Sequence, residues 1–489
     1  MLVSSVDLGT TNLKVVLYDE QLRVLASRSQ PMRYDRRGDQ VEFDPSTLTE
    51  SVLTLIAACA SDAGGTDGHD VVIVLTGQAE TLVVTDGHGT AVRPALSWLD
   101  ERAAAEAAEL ETAFGADEAF AITGEPFPST TWPAAKLAWL RRHEPASLDA
   151  AAHVLMIKDY LVLQLTGQAV GEVTTRGFTY LWDVRRGAYW DAAVQHCGVR
   201  RETLPDVVPA GTDLGPVTAD VAARLPAARS YRVNAGALDH FCAMVGTGSY
   251  TAGTVSESAG TVLSLSMLAD DWSFDAARKV SFHAGLRPGE TILFNGADSG
   301  GVALEWFRRE GLAGMDWTEL EEGLARRASA SRPPAPVFLP YLTGVAPPDF
   351  LTSARGAFLG LDLSHDRLDM AFAVEEGLAH LLKRNVDYLT PGADDVDAIV
   401  STGGGAASSF WSQLKADVCD LDVIVPDERE ATCRGAAVLA LVASGTLSSL
   451  ADADALARPP VTRFATAHTE THDHRYRLFE DYLDRLYSH

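Results

Sequence analysis

The chain has 489 residues, a net charge of −27, 46% hydrophobic and 22% charged residues, so it needs more than one hydrophobic core and has the composition of a globular protein. The acidity excludes a polyanionic partner such as nucleic acid or an anionic membrane, although local backbone dipoles and a divalent cation still permit a small anionic ligand. Five scattered cysteines without CxxC spacing, no run of about 18 apolar residues and no charged-then-apolar leader argue against a disulfide framework, structural zinc and a membrane span, and make the cytoplasm the expected location.

In chain order, residues 3–8 and 13–18 predict two strands joined by the tight turn of "VDLGTTNLKVVLYDE", with a third strand over 23–27. Helical spacing covers 48–59, and the apolar run 71–75 predicts a buried strand that stops at Thr76-Gly77-Gln78. A hairpin follows in "TLVVTDGHGTAVRPALSW", turning at Gly87-His88-Gly89. Helices are predicted over 102–114, 134–142 and 158–165. In "NAGALDHFCAMVG" a glycine-containing loop is predicted to end at Asp239, where a helix of small residues begins. "GTVSESAGTVLSLSML" then repeats strand, turn and strand, with the turn at Ser258-Ala259-Gly260-Thr261. A hydroxyl–glycine turn between strands therefore opens each half, a weak internal duplication. A long helix over 368–389, a strand over 398–401, a glycine-rich turn into a helix over 410–418, a strand over 422–425 and a terminal helix over 472–487 complete the pattern. Alternating strands and helices imply α/β layers, and the lack of a low-complexity linker implies two halves sharing a cleft.

The chemistry concentrates at a few of these junctions. At the first turn, backbone N–H groups, the Thr10 and Thr11 hydroxyls and the Lys14 cation suit a polyphosphate, and Asp7 would repel it unless Mg²⁺ sits between them. A plain hairpin turn would use the same residue types. The second turn suggests an opposing loop on the same phosphate chain. In "STGGGAASSFWSQLKAD" glycines between a strand and a helix let a flat ring approach the backbone, without the spacing of a dinucleotide fold. Asp239 at a helix start can act as a cap, or as an ionised base for a hydroxyl nucleophile. His240 is next to it, but consecutive helix residues point in different directions, so a dyad is not claimed. Gln78, Glu80, Trp98, Asp100 and Arg102 offer the polar groups and stacking surface that polyol recognition requires.

Taken together and in order, "DLGTTNLKVVLYD", "GQAETLVVTDGHGTAVRPALSWLDERA", "KDYLVLQLTG", "GALDHFCAMVGTG", "SESAGTVLSL", "FLPYLTG" with "ARGAFLGLDLSH", and "STGGGAASSFWSQLKADV" with "EATCRGAAVLA" resemble the FGGY carbohydrate kinases, across essentially the whole chain. The resemblance implies an α/β fold of two actin-like (ribonuclease H-like) ATPase domains with a cleft between them. Their expected extents are 1–246, with the sugar site and first phosphate loop, and 247–489, with the second phosphate loop and adenosine site. It implies ATP and Mg²⁺, with Asp239 as general base and Asp7 holding the metal, through water. Thr10, Thr11, Lys14, Gly260 and Thr261 then resemble the phosphate contacts, and Gly404, Ser408, Gly301 and Glu305 the adenosine side. Gln78, Glu80, Trp98 and Asp239 resemble the substrate side. Relatives also lead one to expect a homodimer.

Departures from the family pattern bear on the sugar. Xylulokinases of the familiar type carry Met-His after the Gln, where this chain has Ala79-Glu80. Glycerol kinases carry Gln-Arg-Glu-Thr, and here the Glu is kept and the Arg is an alanine. The stretch Val345-Ala346-Pro347-Pro348 stands where the family often has Glu-Arg and then Pro. A ketose or longer polyol, xylulose-like as the single expectation, is favoured over glycerol. A non-sugar ATPase of the same superfamily is the rival, and "GALDHFCAMVG" joined to the Gln–Trp segment speaks against it.

Overall fold

The computed structural model describes residues 1–269, 278–297, 299–329, 333–342, 344, 347–351, 353–390, 396–456 and 459–487. Val345 and Ala346, in the loop after "FLPYLTG", lie outside them. The chain divides into two compact units. The first comprises Met1–Gly248, Ala269–Ile292 and Glu428–Arg458; the second comprises Ser249–Leu268, Leu293–Asp427 and Pro459–His489. The carboxyl half thus returns two segments to the first unit, one carrying His283 and the other the helix Ala431–Ala443.

The main sheet of the first unit runs Asp213–Pro216, Ser230–Leu238, Asp70–Gly77, Leu2–Leu8, Asn12–Tyr18, Val24–Pro31. Its first three strands in sequence form an antiparallel meander, with Val6 opposite Val15 and Leu17 opposite Ala26. Asp70–Gly77 and then Ser230–Leu238 add in parallel. Leu2–Leu8 is central, so both of its faces are covered, which explains its nearly unbroken burial. Val6 joins a core cluster with Val52, Ile56 and Cys59 of the helix Ser46–Asp62. Its neighbour Ser5 points to the other face and donates to the Cys433 carbonyl at 2.7 Å. On that face the helices Asp239–Thr247 and Ala431–Ala443 cross on two glycines. A Cβ on Gly246 would stand 1.9 Å from the Ala431 carbonyl oxygen, and one on Gly435 would stand 1.7 Å from that of Cys242.

The predicted loop before Asp239 is instead a strand, Ser230–Leu238, that runs straight into the helix. Its pairing shifts register between Asn234 and Ala237, and Gly236 has a φ of +58°. A bulge needs such residues, and they read as loop when taken locally. A second, antiparallel sheet holds Asp35–Arg37, Gln40–Phe43, Ala95–Leu96, Leu82–Thr85 and His153–Met156. The predicted hairpin lies in it, with Leu82 opposite Leu96.

The second unit contains residues 293–297 of the strand Thr291–Ala297, residues 263–268 of Leu263–Ala269, and Thr254–Ala259, Ala398–Thr402, Asp422–Pro426 and Val461–Phe464 as neighbours in one sheet. Thr254–Ala259 pairs antiparallel with Leu263–Ala269 and parallel with Ala398–Thr402. Asp422–Pro426 adds in parallel, and Val461–Phe464 closes that edge antiparallel. From Leu263–Ala269 to Val461–Phe464 the order repeats that of the first unit from Asn12–Tyr18 to Asp213–Pro216, so the likeness of the two opening turns extends to these five strands. Buried between strands and helix, Lys415 of the helix Ser409–Cys419 donates to both Glu257 oxygens, at 2.9 and 2.8 Å, and to the Ser401 hydroxyl at 3.1 Å.

Candidate active site

In the first unit the opening turn is fastened to the predicted sugar-side segment. A Cβ on Gly9 would come within 2.7 Å of the Asn12 carbonyl oxygen, so the turn closes only without a side chain there. The Trp98 indole N–H donates to the Thr10 hydroxyl at 2.9 Å, and the Gln78 amide reaches the Gly9 carbonyl at 3.5 Å. The Thr81 hydroxyl in turn donates to Gln78 at 2.6 Å. Thr10, Gln78 and Trp98 are therefore brought together. Thr11 is exposed, its carbonyl accepting from the Met32 N–H at 2.9 Å. Lys14 is half-buried and pairs with Glu430 at 2.7 Å.

Asp239 opens its helix, and its Oδ1 accepts from the His240 backbone N–H at 2.7 Å and faces His240 Nδ1 at 2.8 Å. Consecutive residues diverge inside a helix, yet at this helix start the Asp239 carboxyl and the His240 ring do meet. Burial works to raise the Asp239 carboxyl, and the His240 ring and backbone N–H outweigh it, holding the carboxyl below its usual range. Burial opposes the His240 charge, and Asp239 overcomes it, so the imidazole is raised. The Leu238 N–H donates to the Thr174 hydroxyl at 2.9 Å, and Thr174 belongs to a buried network with Glu172 and Lys158 that anchors this junction.

Three further acids surround this arrangement electrostatically. Burial, then the Asp239 charge, pushes the Asp7 carboxyl up to about 7, against Lys14. Asp7 Oδ1 is buried with no hydrogen-bond partner. Glu80 sits at a φ of +58°, and burial followed by the Asp239 charge pushes it up to about 8. A non-glycine residue in that region is a strained position of the kind that accumulates at functional sites. Glu125 is raised well above its usual range by burial and then by Glu80. Burial drives the Lys136 ammonium down to about 7, and it donates to the Thr130 and Thr131 carbonyls at 2.8 and 2.6 Å. Asp100 and Arg102 form a buried ion pair at 2.7 Å that also reaches Glu42, a structural strut rather than a free recognition pair.

Nothing in the local sequence marks His240, Glu430, Glu125 or Lys136 as site residues. Their signal is burial of charge, which appears only after folding.

The second unit holds a cavity of about 620 Å³ lined by Gly260, Thr261, Gly301, Gly404 and Ser408, all predicted positions. The Gly301 N–H donates to the Gly260 carbonyl at 2.9 Å, and a Cβ on Gly301 would approach that oxygen to 2.6 Å. Gly403 has a φ of +84°, which turns the strand Ala398–Thr402 sharply into the glycine run. A Cβ on Gly404 would meet nothing within 4 Å, so the backbone there is bare toward open space. Ser408 caps the helix Ser409–Cys419 by accepting from the Trp411 N–H at 3.1 Å. Glu305 does not line the cavity; it pairs with Arg308 at 2.9 Å. Trp317, Trp411, Glu321 and Glu375 line it without having been anticipated. Among the described residues no group of three or more His, Cys, Asp or Glu side chains forms a metal cage, and no helix is long and apolar enough to cross a membrane.

The chain is 26% identical to the xylulose kinase of Bacillus subtilis, covering all of this chain and 97% of that protein. It is 25% identical to the gluconokinase of the same organism, covering 91% and 88%. The crystal structure of the xylulose kinase from Rhodospirillum rubrum matches with a TM-score of 0.90 at 26% identity, covering 99% of both chains. Residues 2–246 match the amino-terminal domain of the FGGY family of carbohydrate kinases and residues 257–444 its carboxyl-terminal domain. The two α/β units, the mixed sheets and these matches agree, and the chain belongs to the FGGY family of carbohydrate kinases.

Proposed function

We propose that this kinase phosphorylates a neutral ketose of the xylulose type, with Asp239 as general base and Mg-ATP as phosphoryl donor. The observation that carries the reading is the Asp239 carboxylate, kept ionised at a helix start with one oxygen committed to His240. The other oxygen is left to take the proton of an attacking hydroxyl. Gln78, Glu80 and Trp98 supply acceptors, donors and an apolar face for the sugar. Thr10, Thr11 and Lys14, with Gly260 and Thr261 of the second unit, serve as phosphate contacts. The glycine- and tryptophan-lined cavity takes the adenosine.

The buried, unpartnered Asp7 oxygen beside further acids fits a cation, and Asp7 would hold Mg²⁺ through water, as this ion favours. When bound, such an ion neutralises charge on the phosphoryl group. A gluconate-type substrate is disfavoured because the ionised Asp239 carboxylate would face the substrate's own carboxylate while Lys14 is paired with Glu430. A cytoplasmic location accords with five buried free cysteines, and a homodimer is carried over by analogy with relatives alone.

ADP release measured across ketopentoses, ketohexoses, glycerol and gluconate tests the reading. The highest kcat/KM is expected for a ketopentose. A clear win for glycerol or gluconate would overturn the substrate assignment, and full-rate ATP turnover without any sugar would favour the ATPase rival.

A further inference from the structure

The second unit's cavity contains a group that phosphate binding does not explain. Glu375, on the helix Arg367–Leu389, lines the cavity at 3% exposure, and its Oε2 is buried without a hydrogen-bond partner. Glu321 lines the same cavity but is engaged, accepting from the Phe410 N–H at 3.1 Å. Lys415, the nearby cation, is consumed by Glu257 and Ser401. Among the described residues no lysine or arginine lines this space. Away from Gly260 and Thr261, two acids, two tryptophans and bare glycine backbone, with no cation among them, suit a flat, amine-bearing ring. A buried carboxyl oxygen with no donor is costly to keep, so a ligand that brings a donor gains there.

We propose that Glu375 selects the nucleobase of the phosphoryl donor, its carboxyl accepting a hydrogen bond from the exocyclic 6-amino group of adenine. The proposal rests on the reading that this cavity takes the nucleoside of ATP. Burial, then Glu321, also pushes the Glu375 carboxyl up to about 8 against Lys415. It therefore carries a proton near neutral pH and sets a donor beside its acceptor, which complements the N1 and 6-amino edge of adenine.

Calorimetric titration of the full-length protein, without sugar, tests this with ATP, purine riboside triphosphate, N6,N6-dimethyl-ATP and 2′-deoxy-ATP. Wild type is expected to bind ATP about tenfold or more tightly than the two analogues lacking the amino hydrogens, and 2′-deoxy-ATP within about threefold of ATP. Glu375→Leu is expected to reduce ATP to the level of purine riboside triphosphate with an unchanged or higher Tm, since it removes a buried acid. Glu375→Gln, which keeps an acceptor, is expected to retain the preference. An unaltered ATP preference in Glu375→Leu, or a larger loss with 2′-deoxy-ATP than with the amine-deficient analogues, would overturn the proposal. Equal wild-type binding of all four sinks this proposal alone, whereas binding of none of them sinks the donor-site reading as well.

Discussion

The Oδ1 oxygen of Asp239 is held by two groups of the very next residue: the His240 backbone N–H at 2.7 Å and His240 Nδ1 at 2.8 Å. The ring clamps the carboxylate and helps keep it charged, while the helix start adds backbone dipoles that favour the same state. Asp239→Asn is expected to lower kcat by roughly two to four orders of magnitude with ATP affinity retained. In His240→Leu the acid limb of the kcat–pH profile is expected to move to higher pH, because the principal group holding the carboxyl low is gone. A merely structural histidine would change Tm and leave that limb in place.

Asp7 gives a pH-dependent stability of opposite sense. Its carboxyl goes from 3.8 in its ordinary state to about 7 in the fold, so the folded chain holds a proton that the unfolded chain has lost. Stability from this group therefore falls as pH rises from about 4 to about 7. Asp7→Asn is expected to raise Tm by on the order of 2 °C at pH 8 and to leave it unchanged at pH 5, when measured without Mg²⁺. A gain of equal size at both values would show that the charge is not the cause.

Gly435 tests how Asp239 is positioned. A methyl group there would stand 1.7 Å from the Cys242 carbonyl oxygen, so the helices Asp239–Thr247 and Ala431–Ala443 must separate. Gly435→Ala is expected to cost about 1–3 kcal/mol in denaturant unfolding and to lower kcat more than it changes the KM for ATP. Unchanged stability would mean that the crossing tolerates the shift.

Gly404 gives the complementary case, where a side chain meets no protein atom but enters the cavity. Gly404→Val is expected to raise the KM for ATP about tenfold or more, equivalent to about 1.4 kcal/mol, with the sugar KM and Tm little altered. An unchanged KM for ATP would place the nucleotide elsewhere.

Much of this architecture was open to reading residue by residue. Apolar runs and turn residues act over a few positions, so the strands Leu2–Leu8 and Asn12–Tyr18, the repeated turn at Gly260 and the helix from Asp239 could be placed without coordinates. The bulged strand ahead of Asp239 could not, because Asn234 and Gly236 serve a pairing shift against a distant strand. Lys14 and Glu430 meet across 416 positions, and Glu375 becomes a cavity wall only when its helix packs beside the glycine turn. Order and type of elements, the glycine turns and the acid at the helix start belong to the sequence itself, because short-range sterics and periodicity dictate them. Which charges are paired, which are buried alone and how far their protonation moves were decided by the tertiary structure, because desolvation and Coulomb energy depend on neighbours that the chain brings together only on folding.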